Sequence, residues 1–157
     1  MSQQPQQQIT PEEARRGMQA LVYRMSELEN YINNLNASLS ALLNEVEEIR
    51  IARLAVEAIR DRKDIPVLIT LDRRGHVFIE GNIGSGNALI THIGSDYYAL
   101  LPPDKTLKIL DEKEEDLRKA ITLLRNELVK ATKLYEDMRK TLATLASIAQ
   151  AKQTERS

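Results

Sequence analysis

The chain has no cysteine, no tryptophan and a single phenylalanine, and aromatic residues make up only 4% of its 157 residues. Without cysteine there can be no disulfide framework, thiolate zinc site or thiol nucleophile, and the composition suits a reducing cytoplasm. So few aromatics argue against a thick globular core. An excess of one charge is also missing: 22 Lys and Arg against 23 Asp and Glu leave a net charge of −1. No basic stripe is available to neutralise phosphates, so neither nucleic acid nor an anionic membrane is an expected partner. No run approaches the ~20 apolar residues of a membrane span. The opening MSQQPQQQ lacks the basic and then apolar regions of a secretion signal. A soluble, cytoplasmic protein is expected.

What remains is 42% hydrophobic and 29% charged, a mixture that fits long helices with one narrow apolar seam. Residues 1–9 are Gln-rich with one proline and read as a disordered leader. Structure begins at Thr10-Pro11-Glu12-Glu13, where Thr caps, Pro fits the first helical position, and Glu13 completes a capping box. From there Met18, Leu21, Met25, Leu28, Ile32, Leu35, Leu39, Leu42, Val46 and Ile49 step by three and four without exception. This period of 3.5 predicts a left-handed coiled coil. Beyond Ile49 the register puts Arg53 on the seam, while Ile51, Leu54, Ala55, Val56 and Ile59 spread apolar surface around the helix. That spread predicts a second partner besides the coiled-coil mate. The helix is expected over 10–64, because Pro66 restricts the residue before it and cannot continue the ladder.

A second helix is expected over 104–152. Its seam runs Leu110, Leu117, Ile121, Leu124, Leu128, Ala131, Tyr135, Met138, Leu142, Leu145 and Ala149, with Glu114 occupying one seam position. Residues 153–157 read as a disordered tail. At 1.5 Å per residue both helices are roughly 70 to 80 Å long, and the segment joining them is short, so they must run antiparallel. That segment is rich in β-branched residues, with glycines and prolines at turns. It predicts two hairpins, over 66–83 and 87–101, with strands at 67–71, 76–83, 88–93 and 97–101. Fewer than about 40 residues without disulfide or metal seldom stabilise themselves, and open hairpins leave unpaired edges. The β-segment is therefore expected to complete its sheet with other subunits through Val67, Ile69, Val77, Phe78, Ile79, Leu89, Ile90, Tyr97 and Tyr98. The fold class is α+β: a long antiparallel coiled-coil hairpin with two small β-hairpins between its helices, closing a β-barrel by oligomerisation.

Several motifs carry less than they suggest. Gly81, Gly84 and Gly86 precede neither a Gly-Lys-Ser/Thr nor a helix, so they read as turn glycines and not as a phosphate loop. His76 and His92 stand alone in strands without a second ligand at metal spacing. The acidic run Asp111-Glu112-Lys113-Glu114-Glu115-Asp116 reads as a solvated face that complements the helix dipole. Asn36-Ala37-Ser38 fits a glycosylation sequon but lies within a helix. No nucleophile, base and orienting group can be assembled, so no enzyme, cofactor or metal is expected.

The free helix ends remain, where Met18, Leu21, Val22 and Met25 are expected to face Leu142, Leu145, Ile148 and Ala149. Two readings stand. These residues simply end the seam, or they bind a ligand: methionine adapts to varied surfaces, and Val22 and Ile148 add apolar area beside the seam.

The order of heptad helix, two hairpins and heptad helix resembles the alpha-class subunit of the prefoldin family over about residues 10–152. The residues carrying the likeness are Val67-Leu68-Ile69-Thr70-Leu71, Gly75-His76-Val77-Phe78-Ile79, and Ile93-Gly94-Ser95-Asp96-Tyr97-Tyr98. Two hairpins suggest the alpha class, since beta-class subunits carry one. Asp96 departs from the glycine often found before the tyrosines, and Pro102-Pro103-Asp104-Lys105 makes a longer connection than usual. The resemblance implies a hexamer of two alpha-class and four beta-class subunits, with the hairpins in a shared β-barrel platform and coiled coils hanging from it. It further implies that the distal tips grip unfolded clients and pass them to a group II chaperonin without nucleotide hydrolysis. The alternative is a coiled-coil scaffold subunit of a prefoldin-like assembly with one fixed native partner, which a pull-down would separate from a holder of many unfolded clients.

Overall fold

The computed structural model describes residues 9–62, 64–84 and 88–154. The remainder of the expected leader, the connection at 85–87 and the end of the expected tail lie outside these residues. The described elements run α1 (Pro11–Asp61), β1 (Ile65–Thr70), β2 (Phe78–Ile83), β3 (Leu89–Gly94), β4 (Tyr97–Leu101) and α2 (Pro103–Thr154). Two long helices thus bracket two hairpins, as the sequence pattern predicts.

Two units divide the chain, one from residues 1–40 and 122–157, the other from residues 41–121. In the first, α1 starts on the expected capping box. The Thr10 amide and hydroxyl each donate to Glu13 Oε2 at 2.8 Å, and the Glu13 amide donates back to Thr10 Oγ1 at 3.3 Å. The helices here run antiparallel: Gly17 lies against Leu145, and Tyr31 Oη donates to Glu127 Oε1 at 3.3 Å. Every seam position from Met18 to Leu39 is buried or half-buried, while the positions between them are exposed. The heptad is therefore the physical division between seam and solvent. Ala14 extends the seam one turn earlier than the pattern suggests.

In the second unit the helices are again antiparallel, with Arg53 beside Glu114 and Arg60 Nη1 3.7 Å from Asp104. Val46, Ile49, Val56, Leu107 and Ile121 are buried between them. Helix α1 stops at Asp61, three residues before the expected end at 64; the Arg62 amide still donates to Ala58 O at 3.2 Å, and Asp64 takes a left-handed backbone with φ of 53°. Strand β1 already includes Ile65 and Pro66. Its only described partner is β2, and an edge strand tolerates a residue without an amide donor.

Strand β2 begins at Phe78 and not at His76, since Asp72 holds the turn. Its carboxylate accepts from the amides of Arg74 at 2.8 Å, His76 at 2.9 Å and Val77 at 3.0 Å. Gly75 completes that turn at φ 71°, a conformation that favours glycine. In the second hairpin a bulge at His92/Gly94 moves the end of β3 to Gly94, whose φ is 139°. Helix α2 starts at Pro103, one residue before expectation. Proline suits the first helical position, and Pro102 O accepts from the amides of Lys105 at 3.0 Å and Thr106 at 3.1 Å. Its backbone is helical to Thr154, two residues past the expected end.

Candidate functional site

Two surfaces have no covering partner within their own unit. The first is built by the hairpins. Strands β1 and β2 pair in register Val67↔Gly81 and Ile69↔Ile79, and β3 and β4 pair Ile90↔Leu100 and His92↔Tyr98. Each hairpin is a separate two-stranded sheet among the described residues. Successive strand residues point to opposite faces, yet Leu68 and Ile69 are both exposed. Neither face of the first hairpin is covered.

The second hairpin is held on one face. Thr91 and Thr106 are buried and share a hydroxyl hydrogen bond of 2.7 Å. Lys113 Nζ donates to His92 O at 2.9 Å and lies 3.0 Å from His92 Nδ1. The Ser95 carbonyl can only accept, so His92 Nε2 donates to it and Nδ1 is left to accept from the lysine. The His92 ring also lies 5.1 Å from that of Tyr98. Ala52 and Val56 of α1 border a depression of about 270 Å³ beside β3 and α2. Ile51 and Leu54 stay exposed. On the other face Ile90 is 76% exposed.

Of the predicted interface residues, Ile69, Val77, Phe78, Ile79, Ile90, Tyr97 and Tyr98 are exposed, whereas Val67 and Leu89 are half-buried. Leu68, Leu71, Ile93 and Leu100 are also exposed and were not among the predicted interface residues. Their signal was available in strands apolar at consecutive positions, which implies covering on both faces. Together they form a clustered, exposed apolar surface.

The second surface lies at the start of α1 and the end of α2. The Gly17–Leu145 contact brings the two segments together. Met25 is buried, Met18, Leu21, Leu142, Leu145, Ile148 and Ala149 are half-buried, and Val22 is 53% exposed. Met18 and Val22, with Arg15 and Gln19, line an open depression of about 400 Å³. Val22 thus turns outward beside the seam, as apolar area additional to it.

Between the helices of the second unit lies a polar layer that the sequence marked only as two separate seam irregularities. Arg53 Nη1 is 3.4 Å from Glu114 Oε2, and its Nε is 3.1 Å from Asp111 Oδ1. Arg118 closes on Glu114 from the next turn of α2. Glu114 is 9% exposed, in keeping with its seam position, while Asp111, Glu112, Glu115 and Asp116 of the same run are exposed.

Arg118's hydrogen bond, aided by its charge and by Arg53, holds the Glu114 carboxyl below its ordinary value of 4.5 despite the opposing effect of desolvation. At Asp72 desolvation raises the carboxyl, but hydrogen bonds from His76 and the turn amides outweigh it and leave it below 3.8. A carboxyl lowered in the folded state stabilises fully above its unfolded pKa and loses that contribution as pH falls through the folded value. Urea midpoints are therefore expected to drop as pH falls below about 4.5, and Glu114→Gln to flatten part of that slope. An unchanged slope would remove Glu114 from the explanation.

Among the described residues there is no group of three or more His, Cys, Asp or Glu able to hold a metal, and no helix long and apolar enough to cross a membrane.

Two long antiparallel helices bracketing two open hairpins define a coiled-coil protein with uncovered β-surface. The prefoldin subunit family model matches residues 28–147. The chain is 30% identical over 118 residues to prefoldin subunit alpha of Saccharolobus islandicus (strain Y.N.15.51 / Yellowstone #2), covering 75% of this chain and 80% of that one. It is 35% identical over 103 residues to prefoldin subunit alpha of Metallosphaera sedula, covering 62% and 70%. A third relative, prefoldin subunit alpha of Sulfurisphaera tokodaii, is 23% identical over 121 residues, covering 77% and 79%. The chain belongs to the prefoldin family.

Proposed function

We propose that this chain is the alpha-class subunit of a cytoplasmic holding chaperone, which binds unfolded proteins without ATP and transfers them to a group II chaperonin. Family membership supports the chaperone role and assembly with other prefoldin subunits. The observation that carries the reading is the first hairpin, with exposed apolar residues on both faces, Leu68 and Phe78 on one and Ile69 and Ile79 on the other. A surface of this kind is buried by association or aggregates. In the proposed assembly two copies join four beta-class subunits, and the hairpins complete a shared barrel.

Clients bind at the start of α1 and the end of α2, through Met18, Leu21, Val22, Met25, Leu142, Leu145, Ile148 and Ala149. Each such surface is small, but several acting on one client raise the effective concentration of the rest, so weak contacts combine into useful affinity. Suppression of aggregation of a chemically denatured client by the assembled complex tests this. The wild-type complex is expected to keep the client soluble. Met18→Ser, Leu21→Ser, Leu142→Ser and Leu145→Ser combined are expected to abolish suppression while the complex still assembles. Full suppression by that variant would refute the assigned surface.

A further inference from the structure

The polar layer interrupts a seam that is otherwise apolar, and it is not an economical way to hold two helices together. Arg53 Nε is buried, and although Asp111 Oδ1 is 3.1 Å away, the N–H has no aligned hydrogen-bond acceptor. A buried donor left in that state costs stability. Replacing a buried ion pair with apolar residues of similar size is often neutral or stabilising, and leucine at both positions would continue the heptad. Apolar seams, however, discriminate poorly between alignments, because one leucine layer fits against another. Charged seam residues do discriminate.

We propose that Arg53 and Glu114 form an alignment layer, which selects the axial register of α1 on α2 and excludes pairing of α1 with a second α1. In the observed register Arg53 meets Glu114 and Asp111, and its remaining nitrogen reaches Glu57 at 3.8 Å. A slip of one heptad, about 10 Å along the axis, leaves the pairs within each helix, Arg53 with Glu57 and Arg118 with Glu114, and changes only the partners across the seam. In one direction Arg53 comes level with Leu107, and Glu114 with Val46, both buried apolar positions. Arg53 then keeps Glu57 and comes beside Asp104, but Glu114, still held by Arg118, faces an apolar layer and loses its partner on α1. In the other direction Arg53 comes level with buried Ile121, and only Glu114 gains a new neighbour, Arg60. A parallel, in-register pair of α1 helices would place one Arg53 against another. Each alternative separates Arg53 from Glu114, which the observed register brings within 3.4 Å, and sets at least one of the two against an apolar layer or a like charge. The observed register does neither. A polar seam residue that fixes alignment at some expense of stability is an established use of such groups in coiled coils.

Because the chain has no cysteine, spin labels can be placed cleanly at Leu43→Cys and Asp116→Cys, two exposed positions of the same unit. With the native layer a single narrow label-to-label distance is expected in the full chain. With Arg53→Leu and Glu114→Leu together a second distance population is expected, or a dimer population pairing α1 with α1, while the melting temperature equals or exceeds that of the native layer. Arg53→Leu alone, which removes one of the partners of Glu114, is expected to melt below the double variant. A double variant that keeps the single narrow distance and stays monomeric overturns the proposal. So does one that melts below the native layer, since the pair would then be an ordinary stabilising contact.

Discussion

Lysine at both Ile69 and Ile79 is expected to exclude this chain from the proposed complex with other prefoldin subunits while leaving its helices folded. The two residues are cross-strand partners, so they share one face of the first hairpin, and each is 52% exposed in the chain alone. Their side chains contribute little to the isolated chain, and the ladder between β1 and β2 is made by backbone. Part of each isoleucine is already covered in the chain alone, so an assembly that buries this face gains about 0.8 to 1.5 kcal/mol from each. It would lose that gain and also have to desolvate two ammonium groups, at several kcal/mol each. A combined penalty above about 5 kcal/mol corresponds to a thousandfold or greater loss in association constant. Native mass spectrometry of the mixed subunits reads the result directly, and circular dichroism checks that helicity is retained. If the double-lysine chain enters the complex as fully as wild type, this face is not an interface.

The second large effect belongs to the seam. Ile121→Ala is expected to destabilise the chain by about 2 to 4 kcal/mol, the usual cost of truncating a buried isoleucine and leaving a cavity. Ile121 is 6% exposed, and a two-helix seam has no second layer of core to collapse into the gap. Leu123, two residues further along the same helix, is 70% exposed. Leu123→Ala is expected to change stability by no more than about 0.5 kcal/mol. Urea unfolding followed by circular dichroism compares them. Equal losses at the two positions would mean that the heptad assignment of α2 does not describe its packing.

That assignment came from spacing alone. Along α1 the residues from Met18 to Ile49 that step by three and four are the ones removed from solvent, since a helix meeting one neighbour can bury only one stripe. The capping box was legible for a related reason. Thr10, Pro11 and Glu13 act on one another within a single turn, so no distant residue has a say. Both hairpins were legible as elements, though their bounds shifted where a side chain competed with the ladder. Asp72 takes the amides of His76 and Val77, and those two residues leave β2. Aspartate at a turn is a readable signal; which amides it captures depends on the closed geometry of the turn.

Long-range pairings were not readable. His92 looked isolated in the sequence, and its partner Lys113 lies on α2. Arg53 and Glu114 each appeared as a lapse in its own heptad, because a single helix does not reveal which layer of the other helix lies opposite. The outward place of Val22, by contrast, was legible in the heptad, since it falls beside the seam positions Leu21 and Met25.

The sequence by itself determined the local features of this protein: two heptad helices, where they begin, the hairpins between them and the antiparallel return that a short connection forces. Periodicity, capping and turn chemistry act over a few residues, so composition and order suffice. Only the tertiary structure decided which charges meet inside the seam, which hairpin face is held on α2 and which apolar strand positions stay open. Those outcomes depend on the axial alignment of residues some sixty positions apart, and that alignment is settled by packing and desolvation across the whole interface rather than by any local preference.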